Sequence, residues 1–271
     1  MFFMQVRKRG DGGKGRWYRD WRHGRGALFG GGRSHTDTGT VHVEGKSFQP
    51  TDLTGLQVWL DVSDLSTMFQ EIGSETTQAV VNGPVGRIRD KSSNGYIAVA
   101  TSDDRRPILR QSGDLRYLEF DGVDDLLQID GSAYSIPQPN VLCLGAQIPS
   151  SGRALDGSVN KKRAIHEAAN NNRIRFYAGS WSAYVAGRSD TDAQVFTTKW
   201  EGPISYARIN GTQTSFSAGN NTLQGLTVGA SFAGNPSAIK FYGVVVNNGD
   251  LSLEEIGNLE AYMAGLCGVS L

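Results

Sequence analysis

The sequence predicts an all-β protein, a β-sandwich closed by one C-terminal α-helix and led by an extended N-terminal arm. Three observations carry this. Glycine is abundant, 35 of 271 residues, and β-branched and aromatic residues recur throughout positions 55–248, the composition of many strands joined by tight turns. Short strand patterns follow one another with no helical period between them, which favours stacked antiparallel sheets over an α/β fold. A single well-marked helix ends the chain.

The arm comes first. Residues 1–49 carry Gly-rich breaks at 10–15, 24–26 and 30–32, and positions 1–33 hold nine basic residues against two acidic ones. Arg7, Lys8, Arg9, Lys14, Arg16, Arg19, Arg22 and Arg25 are interleaved with Trp17, Tyr18 and Trp21. Such a stretch cannot bury enough apolar surface to order alone, so it is expected to take shape on a partner. The chain as a whole is neutral, 27 basic against 27 acidic residues, which leaves the remainder net acidic by seven. A basic arm on an acidic body points to docking on a separate surface. Arginine and aromatic side chains suit a protein interface; they also grip single-stranded nucleic acid, the less favoured partner here.

The sandwich is expected over 50–271. Residues 56–60 alternate as a half-buried strand, and 61–83 are turn-rich with one helical turn near 65–69. Further strands are read at 96–100, 116–120, 126–129, 140–148, 173–178, 183–186, 193–198, 204–209, 212–216, 223–230 and 239–246. Asn210-Gly211 supplies the two positive φ angles of a type I′ hairpin turn. Ser252 and Glu255 form a capping box ahead of the apolar stripe Ile256, Leu259, Met263.

Several chemistries are argued against by the pattern. Cys143 and Cys267 sit in apolar runs far apart and are expected as buried thiols rather than a disulfide or metal site. The four histidines, His23, His35, His42 and His166, show no ligand spacing. Residues 10–15 lack the strand and helix a phosphate loop needs, and no nucleophile elbow occurs. No apolar run reaches the roughly 18–20 residues that span a bilayer, and the start is not a secretory signal, so no membrane partner is expected.

Four ordered landmarks carry a resemblance over residues 50–268. They are the opening stretch from Leu53 to Asp64, the turn from Gly83 to Gly95, Arg106-Pro107 followed by the stretch from Leu118 to Leu127, and the finish at Leu226–Gly229 and Tyr242–Val246 before the helix. Together they resemble the concanavalin A-like (laminin-G-like) jelly-roll domains found in phage and bacterial surface proteins. The resemblance implies a bacteriophage virion component, from a tail, baseplate, fibre or head decoration, assembled in the host cytoplasm. Its implied partners are other virion proteins (major capsid, portal or adaptor, tail or baseplate) and further copies of itself, with host surface glycans as a further class. Trp59 and Phe120 are expected in the inter-sheet core.

Function is expected to be structural and non-enzymatic, with no catalytic residues. Glycosidases related to this fold set carboxylates on one strand as E-x-D-x-x-E or E-x-D-x-E. Glu119-Phe-Asp121 supplies only the first two, because Val123 or Asp124 stands third. The alternative is a carbohydrate-binding module, for which Tyr177, Trp181 and Tyr184 are the candidate sugar contacts. No cofactor is expected, apart from a candidate Ca²⁺ site at Asp121, Asp124 and Asp125, with Asp130 nearby in sequence.

Overall fold

A computed structural model describes residues 47–271 apart from residue 150, residues 161–164 and residue 170. Residues 1–46 of the predicted arm, including all eleven of its named basic and aromatic residues, lie outside the described residues.

Two antiparallel sheets stack face to face. The eight-stranded sheet runs Thr212–Ser215, Tyr206–Ile209, Gln194–Trp200, Asn140–Gln147 and Ala238–Asn248. The far edge of that last, 11-residue strand is shared end to end by Leu115–Asp121 and Leu56–Asp61, and Ile108–Ser112 lies outermost. The nine-stranded sheet runs Val185–Ala186, Arg173–Tyr177, Ile165–Ala169, Gly152–Asp156, Leu226–Val228, Leu127–Ile129, Ile97–Val99, Arg87–Arg89 and Met68–Phe69. This is the predicted jelly-roll sandwich with its C-terminal helix.

Between the sheets lies one core, in which Phe120, Phe176, Phe196, Phe241 and Trp200 are all but fully buried. Burying such side chains contributes about 1.5–3 kcal/mol each relative to leaving them in water. Alternation decides which residues enter it. On Asn140–Gln147, Leu142, Leu144 and Ala146 point inward, while Val141 and Cys143 point to the other face. Strand Ala238–Asn248 keeps both Phe241 and Val244 inward, an odd spacing that strict alternation forbids. A β-bulge resolves it: Phe241 faces Ala146 and Gly243 faces Gly145, leaving Tyr242 as the extra residue.

The outward apolar residues of this sheet are covered by the helix Leu253–Cys267. Ile256, Leu259, Met263 and Cys267 pack on Val141, Cys143, Val195, Tyr242 and Val245. The helix opens on the predicted capping box, with the Glu255 amide donating to Ser252 Oγ at 3.2 Å and the Ser252 amide donating to Glu255 Oε2 at 2.8 Å. It ends at Gly268, whose φ of 68° suits glycine. Close approach needs Gly145, because a Cβ there would stand 2.6 Å from Cys267 Sγ and 2.8 Å from Met263 Sδ.

Trp59 departs from its expected place. Its neighbours Val58 and Leu60 face the inter-sheet core, so alternation turns Trp59 outward, where its indole N–H donates to Tyr262 of the helix at 3.2 Å. Both cysteines are free and buried, and burial pushes the Cys267 thiol up to about 12, well away from reactivity. No helix among the described residues is long and apolar enough to cross a membrane.

Candidate functional site

On the outer face of the nine-stranded sheet, strand Arg173–Tyr177 alternates cleanly. Ile174 and Phe176 are buried in the core, so Arg173, Arg175 and Tyr177 face out. Register then builds a row across three strands, since Arg153 lies opposite Glu167 and Glu167 opposite Arg175. The Glu167 carboxylate accepts from Arg153 Nε at 2.9 Å and from Arg175 Nε at 2.8 Å. Two guanidinium groups thus share one carboxylate.

The chain after Tyr177 folds back across this row. The Ala178 amide donates to the Ala218 carbonyl at 2.7 Å, and Gly179 turns at φ 113°. The Ser182 amide donates to the Phe176 carbonyl at 2.8 Å, while Ser182 Oγ accepts from the Phe176 amide at 2.9 Å. Val185 and Ala186 then pair with Ile174 and Arg173. The loop therefore sets Trp181 and Tyr184 over the outward side chains. Arg175 lies 4.0 Å from the centroid of the Trp181 ring and 5.2 Å from that of Tyr184, and Arg173 lies 4.7 Å from Tyr184. Tyr177 meets Trp181 with ring centroids 5.1 Å apart.

The three rings singled out in the sequence thus converge on one patch, and two stay open: Trp181 is 36% and Tyr184 45% exposed. Flat, amphipathic rings held rigid by cation–π stacking can pack against the C–H face of a pyranose while the surrounding N–H groups bond its hydroxyls. Sequence reading missed the arginines and Glu167. Alternation in 173–177 pointed to Arg173 and Arg175, but Arg153 and Glu167 lie on strands that were not read at all.

The candidate metal site lies elsewhere, beside a cleft of about 550 Å³ lined by Asp104, Arg106, Arg110, Glu119, Asp121 and Asp125. Carboxylate oxygens of Asp121, Asp124 and Asp125 come within 4.8 Å of one another. Such a set suits a hard divalent cation such as Ca²⁺, yet two of the three already hold backbone donors. Asp121 Oδ1 accepts from the Val123 amide at 2.7 Å, and Asp125 Oδ2 accepts from the Asp121 amide at 2.9 Å. Burial, reinforced by the neighbouring Asp121, Asp124 and Glu119, raises Asp125 to about 6. Asp130 does not join them; its carboxylate accepts from the Ser132 amide at 2.7 Å. Glu119 is held by Arg110 at 2.7 Å, and Val123, in the third position of the incomplete triplet, is 73% exposed. His166 is fully buried, with Nε2 3.0 Å from Thr198 Oγ1, and is no surface ligand; the other three histidines lie outside the described residues.

No family model matches the chain, and no curated protein matches it. Solved structures do. A mutant of Trypanosoma rangeli sialidase displaying trans-sialidase activity is similar at 12% identity with a TM-score of 0.52, covering 80% of this chain and 34% of that one. The same sialidase in complex with 2,3-difluorosialic acid, as a covalent intermediate, gives 12% identity and a TM-score of 0.50, over 79% of this chain and 33% of that one. The binding domain of botulinum neurotoxin serotype G is similar at 9% identity with a TM-score of 0.50, over 76% and 51%. The chain therefore spans about a third of the sialidase chains and half of the neurotoxin domain.

One expectation is corrected by these findings. The chain was expected to be non-enzymatic, but its fold recurs within sialidase chains, so the sandwich gives no ground for excluding catalysis. At these identities the likeness speaks for architecture alone, a two-sheet β-sandwich that these structures share.

Proposed function

We propose that this sandwich is a carbohydrate-contact module and that Tyr177, Trp181 and Tyr184 form its sugar platform. The observation that carries the reading is the convergence of three aromatic rings, two of them well exposed, on an otherwise charged sheet face where no core packing requires them. Aromatic side chains on a β-sandwich ordinarily face inward; here a folded-back loop spends its residues on holding them out.

The setting is part of the proposal. The resemblance of residues 50–268 to phage domains supports a virion as the place of display, assembled in the host cytoplasm. Residues 1–49 would fasten the module to neighbouring virion proteins, and host surface glycans would be its targets. Removal of residues 1–49 should then leave a soluble folded body that no longer enters particles; undiminished incorporation would refute the anchoring role.

The sugar reading is tested by a glycan array with the full chain, repeated with Trp181→Ala. Binding to a defined glycan class that the substitution abolishes, with the melting temperature unchanged, supports it. An array without signal, or binding indifferent to Trp181, sinks it.

A further inference from the structure

We infer that the saccharide held by this patch is acidic, with its anionic group, a carboxylate or a sulfate, seated on Arg153 and Arg175 beside the Trp181 ring. The inference rests on the sugar-contact reading and adds the ligand's charge.

Charge balance is the first ground. Within the cross-strand row two guanidinium groups, those of Arg153 and Arg175, face the one carboxylate of Glu167, so the row keeps an excess positive charge. The rest of the chain outside positions 1–33 is net acidic by seven. An anion approaching this body is repelled by its average field and attracted only where cations are locally concentrated.

Unused donors are the second ground. Arg153 reaches Glu167 through Nε, and Arg175 reaches it through Nε and Nη2. Among the described residues no acceptor is found for Arg175 Nη1 or for either terminal nitrogen of Arg153. These N–H groups are only partly exposed, with side-chain exposures of 21% for Arg153 and 28% for Arg175. A half-desolvated guanidinium with spare donors is the group that gains most from a ligand carboxylate or sulfate, because the charge-assisted bonds replace incomplete hydration.

Preorganisation is the third. Arg175 is stacked 4.0 Å from the Trp181 centroid and clamped by Glu167, so its plane is fixed before any ligand arrives. The donors and the exposed ring are thus neighbours, as a sugar carrying an anionic substituent on its ring requires. A neutral sugar would offer these donors only hydroxyl oxygens, without the charge-assisted gain of an anion.

The test uses the full chain and three sugars on one core: lactose, 3′-sialyllactose and 3′-sulfolactose, titrated by calorimetry at low and high salt. The expected result is at least about tenfold tighter binding of one or both charged sugars than of lactose, weakened by salt. Which charged sugar wins distinguishes carboxylate from sulfate. Arg153→Gln should cut charged-sugar affinity about tenfold and leave lactose unchanged. Glu167→Gln removes the competing carboxylate and should tighten charged-sugar binding, an effect that a purely structural ion pair would not produce. Equal affinity for all three sugars, or no binding of either charged sugar at millimolar concentration, overturns the inference. Trp181-dependent binding of neutral glycans on the array would at the same time leave the sugar-contact reading standing.

Discussion

The two sheets of this protein share one core but differ in their outer faces. The eight-stranded sheet turns Val141, Cys143, Val195 and Val245 outward and needs the C-terminal helix to cover them. The nine-stranded sheet turns Arg153, Glu167, Arg173, Arg175 and Tyr177 outward beneath a short loop that leaves two rings in solvent. One face is sealed for stability; the other is kept polar and open. Substitutions should therefore act on folding in the first and on binding in the second.

Electrostatics gives the sharpest contrast. Arg208 meets Glu260 through paired contacts of 2.8 and 3.1 Å, and Glu260, on the covering helix, is 2% exposed. Arg208→Ala leaves that carboxylate buried without its cation and should cost about 3–5 kcal/mol in denaturant unfolding. Arg175→Ala on the open face leaves Glu167 with Arg153 and should cost less than about 1 kcal/mol. Equal losses would erase the distinction between the faces.

Acid should act from within the core. His166 and Glu167 are consecutive on one strand, yet His166 points inward, in edge contact with Phe176. Burial lowers its imidazole from 6.5 to about 3. The folded state refuses a proton that the unfolded chain accepts, so this contribution is complete above about pH 6.5 and is lost as pH falls toward 3. The loss should amount to about 2–4 kcal/mol, seen as a falling melting temperature between pH 6.5 and 4 that His166→Leu flattens. Asp125, raised to about 6, acts in the opposite sense and costs stability as pH rises from about 4 to 6. A His166→Leu profile as steep as the parent's would contradict the assignment.

A third prediction concerns the sealed interface itself. Gly145→Ala drives a methyl group into Cys267 and Met263 and should cost about 1–3 kcal/mol. The smallest effect on folding belongs to Trp181→Ala. Its ring is held by exposed stacking, so stability should shift by less than about 1 kcal/mol while sugar binding disappears.

Much of this division was legible in the sequence. Asn210-Gly211 turns with φ values of 46° and 78°, as a type I′ hairpin requires. The capping box lies where Ser252 and Glu255 placed it, and the apolar runs at 140–148 and 239–246 became central strands buried on both faces. Other features were hidden for physical reasons. Strands Arg87–Arg89, Gly152–Asp156 and Ile165–Ala169 are short, and charged residues or small side chains mask their periodicity. The expected strand over 223–230 is cut at Gly225, and Leu223–Gln224 leaves to pair with Ser135–Ile136. Trp59 went to the helix side because a strand's parity shows only once its neighbours are placed. In the candidate site the rings could be named from composition, whereas the Arg153–Glu167–Arg175 row exists only through register across three strands.

The central claim is most directly tested by NMR, following the tryptophan indole N–H signals and backbone amides during titration with 3′-sialyllactose. The Trp181 indole and the amides of residues 173–184 should shift together, while Trp59 beneath the helix and Trp200 in the core stay still. Shifts gathered instead around Asp104–Arg110 and Asp121–Asp125, with Trp181 unmoved, would contradict it.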